Sequence, residues 1–202
     1  MFRKKYDSDY FTSRLFRVFS DDHKIELLKR YLRGKSVLDF GCGSGEILAA
    51  MPATCRRVGL DISADGIALA KRDYPGVDFR VLDLEKEAIN VRFDTGIALD
   101  VFEHLSNPEK VLKKITDLAN KKCTLIMSVP NNFGIGGMVF VPVMNKLDAT
   151  HVSTYERGEW ERLLRKTGWK IISEYNKIGS RYYTNELSSY VATSVMFVAK
   201  KV

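Results

Sequence analysis

Cysteine is scarce in this chain. There are three in 202 residues, Cys42, Cys55 and Cys123, and no CxxC pair among them. An odd, widely spaced set argues against a disulfide framework or a zinc site and fits a reducing compartment such as the cytoplasm. Long hydrophobic runs are missing too. The greasiest stretch, residues 133–144, is too short to cross a bilayer and contains three glycines and a proline. The start, Met1-Phe2-Arg3-Lys4-Lys5-Tyr6-Asp7, has basic residues with no apolar run behind them, so no signal peptide is expected. No internal repeat or low-complexity segment stands out.

Lys and Arg number 32 against 25 Asp and Glu, a net charge of +7. Such an excess favours anionic partners in general. Here the basic residues are scattered and no run exceeds three, whereas a nucleic-acid stripe should cluster. Nucleic acid is therefore disfavoured as a partner. With 45% hydrophobic and 28% charged residues, the composition is that of a folded globular chain. The length suits one domain, residues 1–202.

The hydrophobic pattern alternates between short apolar strands and amphipathic helices. Ser36-Val37-Leu38-Asp39-Phe40 reads as a strand followed at once by Gly41-Cys42-Gly43-Ser44-Gly45, and a helix runs from Glu46 toward Pro52. Further strands are expected over 57–61, 77–82, 93–99 and 123–129. Ser63 caps one helix, and Asn107 caps another with Pro108 at its first position. Val111, Leu112, Ile115, Leu118 and Ala119 recur at the helical period. Near the end, strands at 170–177 and 189–200 have no helix between them and so pair antiparallel. The fold expected is α/β: a three-layer Rossmann-like sandwich around a seven-stranded, mostly parallel sheet whose last strand is antiparallel.

The glycine turn carries the first chemical signal. Between a strand and a helix, such a turn brings backbone N–H groups close to a ligand. A P-loop would need GxxxxGK[ST], which is absent. A dinucleotide turn, GxGxxG, would place its third glycine where Glu46 stands, and that side chain and charge oppose a pyrophosphate. The third option is GxGxG preceded by an acid, which Asp39, Gly41, Gly43 and Gly45 match at every position.

That pattern resembles motif I of the class I S-adenosylmethionine-dependent methyltransferases, and the likeness continues over about residues 6–169. The resemblance implies that Asp39, Gly41, Cys42, Gly43 and Gly45 line the cofactor. It implies that Asp61, with Ile62 beside it, holds the two ribose hydroxyls; a carboxylate accepts two O–H bonds and repels phosphate. Asp83 matches the position that meets the adenine amino group, with Leu84 near the base. Asp100-Val101-Phe102-Glu103-His104 resembles the stretch after strand four in the ubiquinone-biosynthesis-like branch, which brings Asp100 and Val101 to the cofactor site. Ser128-Val129-Pro130-Asn131 matches the loop after strand five.

The cofactor implied is S-adenosylmethionine, with S-adenosylhomocysteine as product. An oxygen or nitrogen acceptor also needs a base, for which His104 and His151 are the candidates, because imidazole titrates near neutral pH. Asp100, Glu103, His104 and His151 also echo the acid-x-x-Glu-His set of metal-assisted relatives. The first acid is Asp rather than Glu, and no metal is expected. Amino-methylating enzymes carry an Asn/Asp-Pro-Pro-aromatic motif, cytosine C5 enzymes a Pro-Cys nucleophile and protein arginine enzymes a double-glutamate loop. None of these is present.

What remains is a small, partly apolar acceptor, methylated at oxygen. Residues 1–35 are expected to form an N-terminal helical lid, and residues 131–150 an insertion that roofs the acceptor or makes transient membrane-surface contact. A monomer or homodimer suits this scheme. The alternatives are an RNA methyltransferase, suggested by the charge, and a non-catalytic S-adenosylmethionine-binding module.

Overall fold

The structure, a computed structural model, describes residues 22–131, 152–153 and 155–202. The elements in chain order are α1 (Asp22–Tyr31), β1 (Ser36–Phe40), α2 (Glu46–Ala49), β2 (Arg56–Asp61), α3 (Ala64–Asp73), β3 (Asp78–Val81) and β4 (Phe93–Leu99). A 3₁₀ turn (Phe102–His104) precedes α4 (Pro108–Leu118) and β5 (Ala119–Pro130). Then come α5 (Arg157–Lys166), β6 (Trp169–Ile178), β7 (Arg181–Tyr183), α6 (Glu186–Val191) and β8 (Ser194–Lys201).

The strands form one sheet in the order β3-β2-β1-β4-β5-β8-β6-β7. β1 pairs parallel with β2 and with β4, and β4 pairs parallel with β5. β8 is antiparallel to both β5 and β6, and β7 is antiparallel to β6, so β8 and β7 run against the other described strands. Strand order reverses between β1 and β4, which opens a crevice at their carboxyl ends.

Strand alternation sorts the core into two faces. On β1, Leu38 and Phe40 face one apolar layer with Phe93, Phe102 and Trp160, while Val37 faces the other with Leu28, Ile67 and Phe79. Each capping expectation is met. The Ser63 hydroxyl accepts from Gly66 N–H at 3.0 Å, and Asn107 Oδ1 accepts from Lys110 N–H at 3.0 Å. These caps satisfy donors at the helix starts that have no partner within the helix.

The C-terminal third differs from expectation in two places. Among the described residues the sheet has eight strands rather than seven, because Gly179, at φ +57°, begins a two-residue turn that folds β7 back on β6, pairing Ile178 with Arg181. The segment expected to begin the last strand at residue 189 is instead helical over α6, and β8 starts at Ser194. Asn185 caps that helix, its side chain accepting from Ser188 N–H at 2.8 Å. Two buried asparagines hold it from below. Asn131 Nδ2 donates to Ser189 O and Ala192 O, and Asn176 Nδ2 donates to Ser188 Oγ.

Candidate active site

The glycine turn is built at the carboxyl end of β1. Gly41 and Cys42 both donate N–H to Leu60 O, at 2.7 and 3.0 Å, which draws the turn against the end of β2. Gly41, Gly43 and Gly45 all take positive φ, at +76°, +53° and +88°. A side chain is strained in that region, so the three glycines have a backbone reason to be glycine. Gly41 has a steric reason as well. A Cβ there would collide with Val101 Cγ2, which brings the loop after β4 into contact with the turn after β1.

Asp61, at the end of β2, anchors the turn. Its Oδ2 accepts from Gly43 N–H and its Oδ1 from Ser63 N–H, each at 2.8 Å. The carboxylate has about four lone-pair sites, so it keeps capacity for a further donor beside these N–H bonds. Burial raises the Asp61 carboxyl above its ordinary range, and the N–H bonds from Ser63, Gly43 and Ile62 offset part of that. Asp39 is only 3% exposed, and burial, then the Asp61 charge, push its carboxyl well up, against a downward pull from Lys24.

Other predicted residues contribute in other ways. The Cys42 side chain is buried, with its sulfur 2.8 Å from where a Cβ on Gly59 would sit, so Cys42 can meet a ligand only through its backbone. Burial, then Asp39 and Asp61, raise its thiol well above the usual range. The Glu46 carboxylate accepts from Ser44 Oγ at 2.8 and 2.9 Å. Asp83 holds a local turn, with Oδ1 accepting from Glu85 and Lys86 N–H and Oδ2 from Lys86 Nζ. Burial would raise its carboxyl, but the Lys86 and backbone bonds outweigh this and hold it below its ordinary range. Leu84 is buried in the apolar core beside it.

After β4, Asp100 adopts φ +54°, unusual for a residue with a side chain. His104 closes the following 3₁₀ turn, donating its N–H to Val101 O at 3.1 Å. Val152 and Ser153 donate N–H to Glu103 O at 2.9 and 3.0 Å, and Ser153 Oγ donates to Leu105 O. The chain thus returns beside the His104 turn directly after residue 151. His151 itself lies outside the described residues. Of the N-terminal lid, residues 1–35, and the insertion, residues 131–150, only residues 22–35 and 131 are among the described ones.

Asp39, Gly41, Gly43, Gly45, Asp61, Asp100 and Val101 therefore converge at the carboxyl ends of adjacent strands, and His104 sits on the loop that leaves Asp100. Ser63 and Ser128 support this group: the sequence marks Ser63 as a helix cap and Ser128 as part of the loop after strand five, but not their bonds to Asp61 and Asp100.

A methyltransferase domain family model matches residues 11–174. The chain belongs to that family: it is a class I S-adenosylmethionine-dependent methyltransferase domain. The ubiquinone biosynthesis O-methyltransferase of Dechloromonas aromatica is 30% identical over 169 residues, covering 75% of this chain and 73% of that protein. A protein of Invertebrate iridescent virus 6 named as a methyltransferase is 31% identical over 111 residues, 48% of this chain and 42% of its own length. The chain thus spans well under half of the viral relative. Among solved structures, the magnesium protoporphyrin IX methyltransferase of Synechocystis PCC 6803, with bound S-adenosylhomocysteine, superposes with a TM-score of 0.73 at 19% identity. That match covers 100% of this chain and 98% of that one. It shares the fold.

Proposed function

We propose that this protein transfers the methyl group of S-adenosylmethionine to an oxygen of a small, partly apolar acceptor in the cytoplasm. The observation that carries the reading is the Asp61 carboxylate at the end of β2, fixed by backbone N–H groups of the glycine turn and of Ser63 while it keeps capacity to accept from a further donor. A ribose hydroxyl fits that acceptor, and a phosphate does not. In this reading Asp61, with Ile62, takes the ribose. Gly41, Cys42, Gly43 and Gly45 offer backbone to the sulfur-bearing chain, and Asp83 and Leu84 flank the base.

The sulfonium supplies an already activated methyl, so the chain's task is alignment and exclusion of water. Val101 packs on the glycine turn and sets the spacing between the donor and acceptor sides. In this reading His104, on the same loop, takes the hydroxyl proton of an acceptor as the new C–O bond forms, with His151 as the second candidate base. Oxygen as the acceptor atom is supported by the O-methyltransferase names among the relatives.

The test has two stages. Calorimetry with S-adenosylhomocysteine should show stoichiometric binding. A panel of small phenols and other hydroxylated metabolites, assayed with labelled methyl donor, should then show transfer to at least one. Binding without transfer to any acceptor would favour the non-catalytic module, and transfer to RNA alone would replace the small-molecule reading.

A further inference from the structure

Lys114 stands on α4, and its ammonium turns back onto the chain. Its Nζ donates to Leu84 O and Glu85 O, each at 3.1 Å, and to Glu87 O at 3.4 Å. An ammonium has three N–H donors and no acceptor, so this cluster of carbonyls matches all of them. A lysine ordinarily lets its charged end reach water, because the ammonium is strongly hydrated. Here backbone dipoles replace part of that hydration, and the side chain is half-buried.

The carbonyls belong to the turn after β3, whose other polar groups bond within the turn or to α4. Asp83 N–H donates to Glu87 Oε1 at 2.8 Å, and Glu87 N–H donates to Asp83 O at 2.9 Å. Asp83 Oδ1 accepts from Glu85 N–H at 3.0 Å. Glu85 Oε1 accepts from the N–H of Asn107, the cap residue of α4, at 2.9 Å. The helix therefore grips the turn twice, at its cap and about two turns further along, at Lys114. Carbonyl oxygens aimed at one point repel one another, and the ammonium between them lets them converge.

Asp83 has little acceptor capacity to spare. Its carboxylate accepts from Glu85 and Lys86 N–H and from Lys86 Nζ, which leaves room for about one further donor among its roughly four lone-pair sites. One remaining direction discriminates between ligands only while the turn that carries it holds still. We propose that Lys114 is a positioning residue for the nucleobase: by fixing the carbonyls of Leu84, Glu85 and Glu87 it aims Asp83 at the amino group of adenine. This inference rests on the cofactor reading of Asp83 and adds to it a residue from a different element.

The experiment compares S-adenosylhomocysteine with its purine analogue, which carries hydrogen in place of the adenine amino group. The parent should bind the analogue about tenfold or more weakly, the scale of a lost hydrogen bond to a charged group. Lys114→Met keeps the length of the side chain and removes its donors. Its preference should fall to within about threefold, through weaker binding of S-adenosylhomocysteine alone. Lys114→Arg can still donate to carbonyls and should recover part of the preference. A lysine that served stability only would lower both affinities alike, so an unchanged ratio in folded Lys114→Met overturns the assignment. Should the Met variant not fold, the same ratio is read in Lys114→Gln, whose shorter amide has two donors instead of three. Asp83→Ala is measured beside them. Loss of the preference in Asp83→Ala but not in the Lys114 variant overturns this inference alone. A parent without the preference, or an Asp83→Ala variant that keeps it, overturns the reading of Asp83 as the adenine residue and this inference with it.

Discussion

The hydroxyl of Ser128 donates to Asp100 Oδ1 at 2.8 Å and accepts the Asp100 N–H at 3.1 Å, closing a ring between the ends of β5 and β4. Ser128 O accepts the same N–H at 3.1 Å. Asp100 is the residue with φ +54°, so the ring holds a backbone conformation that a side-chain-bearing residue otherwise avoids. The conformation matters because Val101 follows it and packs on Gly41. Ser128→Ala should cost about 1–2 kcal/mol in urea denaturation. Asp100→Gly in that background should recover part of the loss, because glycine needs no help at positive φ. A double variant no more stable than Ser128→Ala alone would show that the ring does not restrain the backbone.

Asp61→Ala should weaken S-adenosylhomocysteine by about 1.5–3 kcal/mol, the range for hydrogen bonds to a charged group. The N–H groups of Gly43 and Ser63 lose their acceptor as well, so the turn loosens with the ligand site. Asp61→Asn keeps a carbonyl for one N–H and should fall between parent and alanine variant. Unchanged affinity in a folded alanine variant would remove Asp61 from the ribose site.

Much of the sheet could be read from the sequence because its strands are short apolar runs ending in Asp39, Asp61, Asp83 and Asp100. The glycine turn was legible because its function is local, with positive φ needed at three alternate positions. What could not be read depends on distance along the chain. Nothing around Arg33 in sequence says that the exit from α1 is tied to Thr95 on β4. Likewise Ser128 meets Asp100 only because β5 lies beside β4. The α6 segment was misjudged for a related reason. Ser189 to Val191 looks like the start of a strand until Asn185 caps the turn and Asn131 and Asn176 bind it from below. The β7 hairpin did leave a local sign in Gly179-Ser180, a pair that suits a two-residue turn.

Gly43→Val should abolish measurable S-adenosylhomocysteine binding while the chain still folds. Gly43 takes φ +53°, which a β-branched residue resists strongly, and its N–H must still reach Asp61 Oδ2. The turn lies at the edge of the sheet rather than in its core, so the strain should fall mainly on the turn. Normal binding by a folded Gly43→Val protein would mean that the left-handed turn is not needed for the ligand.

The buried carboxylates predict how stability depends on pH. Asp39 is raised well above its ordinary range by burial, then by Asp61, with Lys24 opposing; Asp61 is raised by burial too. An aspartate in the unfolded chain titrates near about 3.9. Below that value both states hold the Asp39 proton. As pH rises above it, the unfolded chain releases the proton while the folded chain keeps it, so folding stability falls until pH passes the folded value. The ligand-free parent should therefore lose stability to urea from about pH 4.5 toward neutrality, within that window. Asp39→Asn cannot titrate there, so its stability should change less with pH and exceed the parent's at neutral pH. Lys24, Asp61 and the Cys42 thiol stay in place in this variant, which isolates the Asp39 contribution. Parallel pH profiles for the ligand-free parent and Asp39→Asn would show that Asp39 already titrates normally in the folded chain.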